Sequence, residues 1–131
     1  MKYEKWIDTK KETQKVKKFN NLLSIDNWDV YNIDTFTTEK ELEKDYIEYY
    51  EFNIFFFENT FIIQINTYLN DNLNFENIKT YYHTENSLNL LFFDEPDVYS
   101  NFFNYLDKLK EKPETKNKIE KIKLSQKLKN F

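Results

Sequence analysis

The stretch Phe52-Asn53-Ile54-Phe55-Phe56-Phe57-Glu58-Asn59-Thr60-Phe61-Ile62-Ile63-Gln64-Ile65-Asn66-Thr67-Tyr68-Leu69 decides the fold. Two β-prone runs flank Glu58-Asn59-Thr60, and a turn signal between such runs reads as a β-hairpin. In the second arm Phe61, Ile63, Ile65 and Leu69 face one way while Gln64 and Asn66 face the other. One face is therefore apolar and the other solvated, which suits an antiparallel sheet. The chain has no Gly, so positions with positive φ fall to Asn or Asp; Asn59, Asn70 to Asn72, Asn86 and Asn101 are the candidates.

Downstream, Ile78 to His83 and Leu88 to Phe93 flank Thr84-Glu85-Asn86-Ser87 and read as a second hairpin, giving a four-stranded meander over residues 52–93. Upstream, Thr9-Lys10-Lys11-Glu12 is a capping box, and Val16, Phe19, Leu22 and Leu23 recur at helical spacing, so a helix is expected over 10–24. Residues 25–36 mix apolar side chains with Asp and Asn and read as a loop with room for a short strand. A second capping box, Thr38-Glu39-Lys40-Glu41, with Leu42, Tyr46, Tyr49 and Tyr50 behind it, predicts a helix over 38–50, in competition with a strand from Tyr46 to Glu51. Pro96 at a first helical position, then Val98, Phe102, Tyr105, Leu106 and Leu109, predicts a helix ending near Lys112. A last helix begins at Pro113, so that 96–130 holds two helices; its Ile119 and Ile122 lie on a different face from Leu124, Leu128 and Phe131. The order helix, helix, strands, helices is α+β, and 131 residues without a composition break read as one globular domain.

Gly, Ala, Arg and Cys are absent while Lys, Asn, Ile, Phe and Tyr abound, the codon signature of an A+T-rich genome. Part of the aromatic content therefore reflects mutational pressure. Without Ala or Gly the core must be bulky and aromatic. Without Cys there is neither a disulfide framework nor a thiolate metal site. No apolar run is long enough to span a bilayer and the N-terminus has no secretory pattern, so a cytoplasmic protein that leaves membranes alone is expected.

Several chemistries fall away. The phosphate-cradling loops of nucleotide enzymes need Gly, which the chain lacks. His83 is the sole imidazole and the obvious candidate base of a small nuclease, but a lone His beside Tyr81 and Tyr82 reads first as a partly packed residue. Asp94-Glu95-Pro96-Asp97 offers oxygen ligands, yet acids at a helix start are accounted for by capping and the macrodipole. No catalytic residue, metal ligand or cofactor is assigned.

Charge is the remaining signal. Residues 21–104 carry sixteen Asp and Glu against three Lys, a net of −13, while residues 1–20 and 105–131 carry +4 and +5. The Lys-rich ends suit phosphates, but without Arg and beside so acidic a centre, direct nucleic-acid binding is the lesser reading. An acidic centre rich in Tyr points to a basic protein partner, because such a field steers association and Tyr gives large contact area at small entropic cost. The expected partner-binding residues are Glu39, Glu41, Glu43, Glu48, Glu51, Tyr46, Tyr49, Tyr50, Tyr81 and Tyr82. The leading expectation is a non-enzymatic inhibitor, phage- or plasmid-borne, that blocks the nucleic-acid-binding surface of a bacterial defence effector in the manner of an anti-CRISPR protein. An immunity protein neutralising a toxin is the runner-up.

Overall fold

Glu58 and Asn59 both take positive φ, 47° and 61°, and close a two-residue hairpin between the paired residues Phe57 and Thr60. Two left-handed residues give the turn a twist that matches its strands, a conformation usually reserved for Asn-Gly. Asn59 meets the expectation for a Gly-free turn. Glu58 is the less tolerant type, and the Lys18 ammonium, 2.8 Å from its carboxylate, pairs with it there.

The computed structural model describes residues 9–23, 28–43, 46–71, 74–85, 88 and 96–129. Helix α1 (Thr9–Leu22) and the single turn α2 (Trp28–Tyr31) precede strands β1 (Asn32–Glu43), β2 (Tyr46–Phe57), β3 (Thr60–Asp71) and β4 (Asn74–Thr84); helices α3 (Pro96–Glu111) and α4 (Pro113–Lys129) follow. The strands form one antiparallel sheet in the order β1-β2-β3-β4. The fold is thus α+β, a four-stranded meander with helices before and after it. No helix among the described residues is long and apolar enough to cross a membrane.

The helix expected over 38–50 is corrected: this segment supplies the end of β1 and the beginning of β2. Its capping box and helical period are local signals, and Tyr46, Tyr49 and Tyr50 serve a strand equally well. Pairing decides between them, because Thr38 meets Tyr50, Glu39 meets Tyr49 and Lys40 meets Glu48 across the ladder. The loop expected over 25–36 is corrected in part, since Trp28–Tyr31 is helical and Asn32 to Phe36 open β1. Ile78 to His83 lies within β4 as expected. Of the strand expected over Leu88 to Phe93, Leu88 is helical and the rest lies outside the described residues.

One face of the sheet meets α3. Tyr50, Phe52, Ile54, Ile63 and Ile65 pack against Val98, Tyr99, Phe102, Leu106 and Leu109, the stripe that the helical spacing predicts. Phe52 and Phe102 stack at its centre with ring centroids 4.3 Å apart. At the turn end of the β2–β3 hairpin a second cluster joins Phe19 of α1, Tyr31 of α2 and Ile122 of α4 to Phe55, Phe56, Phe57 and Ile62. Ile119 packs on this cluster, whereas Leu124 is 58% exposed, so α4 does divide its apolar residues between two faces.

Asp34 ties β1 to α3. Its carboxylate accepts the Tyr105 hydroxyl and, at 2.8 Å, the backbone N–H of Thr35, while the Tyr105 ring stacks on Phe36 at 4.7 Å. Burial, then the hydrogen bond and charge of Asp34, push the Tyr105 phenol up to about 12 from its usual 10.0. The sign follows from linkage: above pH 10 the unfolded chain ionises its tyrosine while the folded one does not. This contact's stabilisation should be lost between pH 10 and about 12. Urea titrations from pH 8 to 12 should show a shallower alkaline decline for Tyr105→Phe than for the parent, and parallel curves would refute the coupling.

Candidate functional site

On the face of the sheet turned away from α3, Phe55, Phe57 and Ile62 form an apolar patch under α1. Beyond that cover the register aligns polar rows. Thr35, Asn53, Gln64 and Tyr82 form the first, and Thr37, Glu51, Asn66 and Thr80 the second. In the third, Glu39 pairs with Tyr49 and Tyr49 with Tyr68; in the fourth, Glu41 pairs with Ile47.

The first two rows close into a hydrogen-bonded ring. The Asn53 amide donates to Glu51 Oε1 at 2.9 Å and to Gln64 Oε1 at 2.9 Å, and the Asn66 amide donates to the same two atoms at 3.0 and 3.1 Å. Each Asn carbonyl accepts a hydroxyl, Thr35 on Asn53 and Thr80 on Asn66, both at 2.7 Å. Gln64 Nε2 donates to the Tyr82 hydroxyl at 2.6 Å. Asn53, Gln64 and Asn66 are 3%, 8% and 8% exposed, so an unsatisfied amide at any of them would cost about 1 to 3 kcal/mol. A one-residue slip of β2 against β3 would break the whole set. The ring therefore reinforces, on this face, the register that the buried Phe52, Ile54, Ile63 and Ile65 specify on the other.

The structure divides the ten expected binding residues. Glu39, Glu41, Tyr49, Glu51 and Tyr82 share the polar face, with Glu39 and Glu41 exposed. Glu48, Tyr50 and Tyr81 lie on the opposite face by strand alternation. Tyr50 is buried against Phe52 and donates its hydroxyl to Glu48, which makes it part of the core. Tyr81 is exposed beside His83, with ring centroids 6.2 Å apart, and burial holds the His83 imidazole below its usual pKa of 6.5. Glu43 and Tyr46 pair at the far end of the β1–β2 ladder. Sequence reasoning missed Asn53, Thr35, Thr80 and Tyr68 as members of this face, and it took Gln64 and Asn66 for solvated residues. The available signal was the repeat Glu51-x-Asn53 and Gln64-x-Asn66, polar residues at period two inside otherwise apolar strands.

Lysines of three helices collect at one end of the sheet, two of them paired with Glu58 and Glu85. Lys15 and Lys18 of α1, Lys110 of α3 and Lys123 of α4 gather around the β2–β3 turn: Lys15 donates to Thr60 at 3.1 Å, and the other three lie 5.3 to 6.0 Å from the ring centres of Phe57, Phe61 and Phe56. Lys110 also pairs with Glu85. At the other end of the sheet Glu39 and Glu41 are exposed on the polar face, with Lys40 between them on the opposite face. A twelve-residue strand such as β3 spans roughly 35 Å, several times the Debye length of about 8 Å at physiological salt. The two ends do not neutralise one another in solution.

Among the described residues no group of three His, Asp or Glu is placed to hold a metal ion. Asp97 stands in the first turn of α3, and Asp94 and Glu95 lie outside the described residues. Fold and site together define an α+β protein with one face of its sheet packed on α3 and the other presenting carboxylates and tyrosines around a buried ring of amides. No protein family, curated protein or solved structure matches this chain.

Proposed function

We propose that the chain is a non-enzymatic inhibitor whose acidic, tyrosine-bearing sheet face seats on a basic nucleic-acid-binding surface of another protein, a bacterial defence effector, and keeps nucleic acid off it. The observation that carries this reading is the segregation of charge along the strands, with Glu39, Glu41 and Glu51 far from the lysines around the β2–β3 turn. Tyr49 stands among these acids and Tyr82 lies farther across the same face, both on strands rather than on loops, so little entropy is lost when they are buried. Carboxylates held on a rigid sheet present negative charge as a phosphate backbone does, and an unbalanced field of one sign accelerates encounter with a basic surface.

The test has two readouts. A protein captured from host lysate with the wild-type chain as bait should release its bound nucleic acid when the chain is added, and a partner that keeps its nucleic acid would refute the inhibitor reading. The on-rate of that complex should fall at least about tenfold between low and physiological salt, with the off-rate changing much less. An on-rate indifferent to salt would mean that charge plays no part in the recognition.

A further inference from the structure

The hydrogen-bonded ring leaves one strong acceptor unspent. An amide side chain has two N–H donors and one carbonyl oxygen, and in Asn53 and Asn66 all of these are used within the ring. Both amides reach Glu51 through the same atom, Oε1. Glu51 Oε2 has no hydrogen-bond partner among the described residues, and the side chain is only partly buried. Its orientation is already set by two charge-assisted bonds, so a cation docking on Oε2 pays no cost to order the carboxylate.

The surroundings select the cation. Glu39 sits diagonally across from Glu51 on the neighbouring strand, within reach of a long side chain. Tyr49 lies two residues before Glu51 on the same face and pairs directly with Tyr68. A planar guanidinium uses all three features at once: it hydrogen-bonds two carboxylates through its fork and stacks on an aromatic ring, whereas an ammonium is a compact and strongly hydrated point charge. We infer that Glu51 is the seat of an arginine side chain supplied by the protein partner. This rests on the reading of the polar face as a docking surface for a basic protein.

Deca-arginine and deca-lysine peptides of equal charge test the inference by calorimetry on the full chain at physiological salt. The wild type should bind the arginine peptide about tenfold more tightly than the lysine peptide. Glu51→Gln should erase that preference, while Glu39→Gln combined with Glu41→Gln should weaken both peptides. A folded Glu51→Gln that keeps the preference, or that weakens both peptides equally, overturns the arginine seat and leaves the acidic docking face standing. A folded wild type that binds neither peptide removes the docking face and the seat with it. Should Glu51→Gln fail to fold, Tyr49→Leu removes the stacking ring without touching the hydrogen-bonded ring. An arginine preference undiminished in that variant overturns the proposal, and its loss supports it.

Discussion

Phe102→Ala should cost about 3 to 5 kcal/mol of folding stability, read as a lower urea midpoint at an unchanged slope. Phe102 is fully buried at the centre of the sheet–helix core. It stacks on Phe52 at 4.3 Å and meets Phe103 at 5.5 Å and Phe36 at 6.2 Å. Removing the ring leaves a cavity lined by bulky side chains, since the chain has no Ala or Gly around which the site could collapse. A domain of this size has about 5 to 15 kcal/mol in total, so the loss is a large share of it. Leu124→Ala is the contrast: with its side chain 58% exposed it should change stability by less than about 0.5 kcal/mol. Equal costs for the two variants would place the core elsewhere.

Glu39→Lys together with Glu41→Lys should weaken binding of the basic partner about 100-fold, chiefly through the on-rate, while the melting curve stays that of the parent. Both side chains are exposed on the polar face, where substitutions leave stability within about 0.5 kcal/mol each. Inverting their charge reverses the local field that steers encounter, an effect worth 10- to 1,000-fold in on-rate. The matched control neutralises exposed lysines of α4, with Lys116, Lys121 and Lys127 changed to Gln. It should leave binding within about threefold, because these side chains belong to a helix seated by Ile122 at the turn end of the sheet, away from Glu39 and Glu41. The opposite pattern in folded variants, acidic reversals silent and lysine changes destructive, would replace the proposed function with direct nucleic-acid binding.

Sequence by itself determined the elements whose signals are local. The β2–β3 hairpin follows from two apolar runs around a turn, α3 from its proline start and apolar stripe, and α4 from Pro113 with its divided apolar faces. Each is complete within one stretch of chain, so period and punctuation are enough to read it. Charge segregation along the chain was equally legible, because it depends only on which segments hold the Asp, Glu and Lys.

Tertiary structure decided the rest. Residues 38–50 hold a capping box and a spacing that fits a helix as well as a strand, and only pairing of Thr38 with Tyr50 and Glu39 with Tyr49 resolves the ambiguity. The same pairing sorts the candidate site, since neighbours in a strand point to opposite faces: Tyr50 enters the core while Tyr49 joins the acids. The amide ring is the furthest from sequence. Gln64 and Asn66 read as ordinary solvated polar residues and Asn53 went unread, and the difference comes from register, which sets Asn53 opposite Gln64 and Glu51 opposite Asn66 so that three side-chain amides close on one oxygen of a carboxylate. Hydrogen bonding between strands is a relation of residues distant in the chain, and no local pattern encodes which of them will meet.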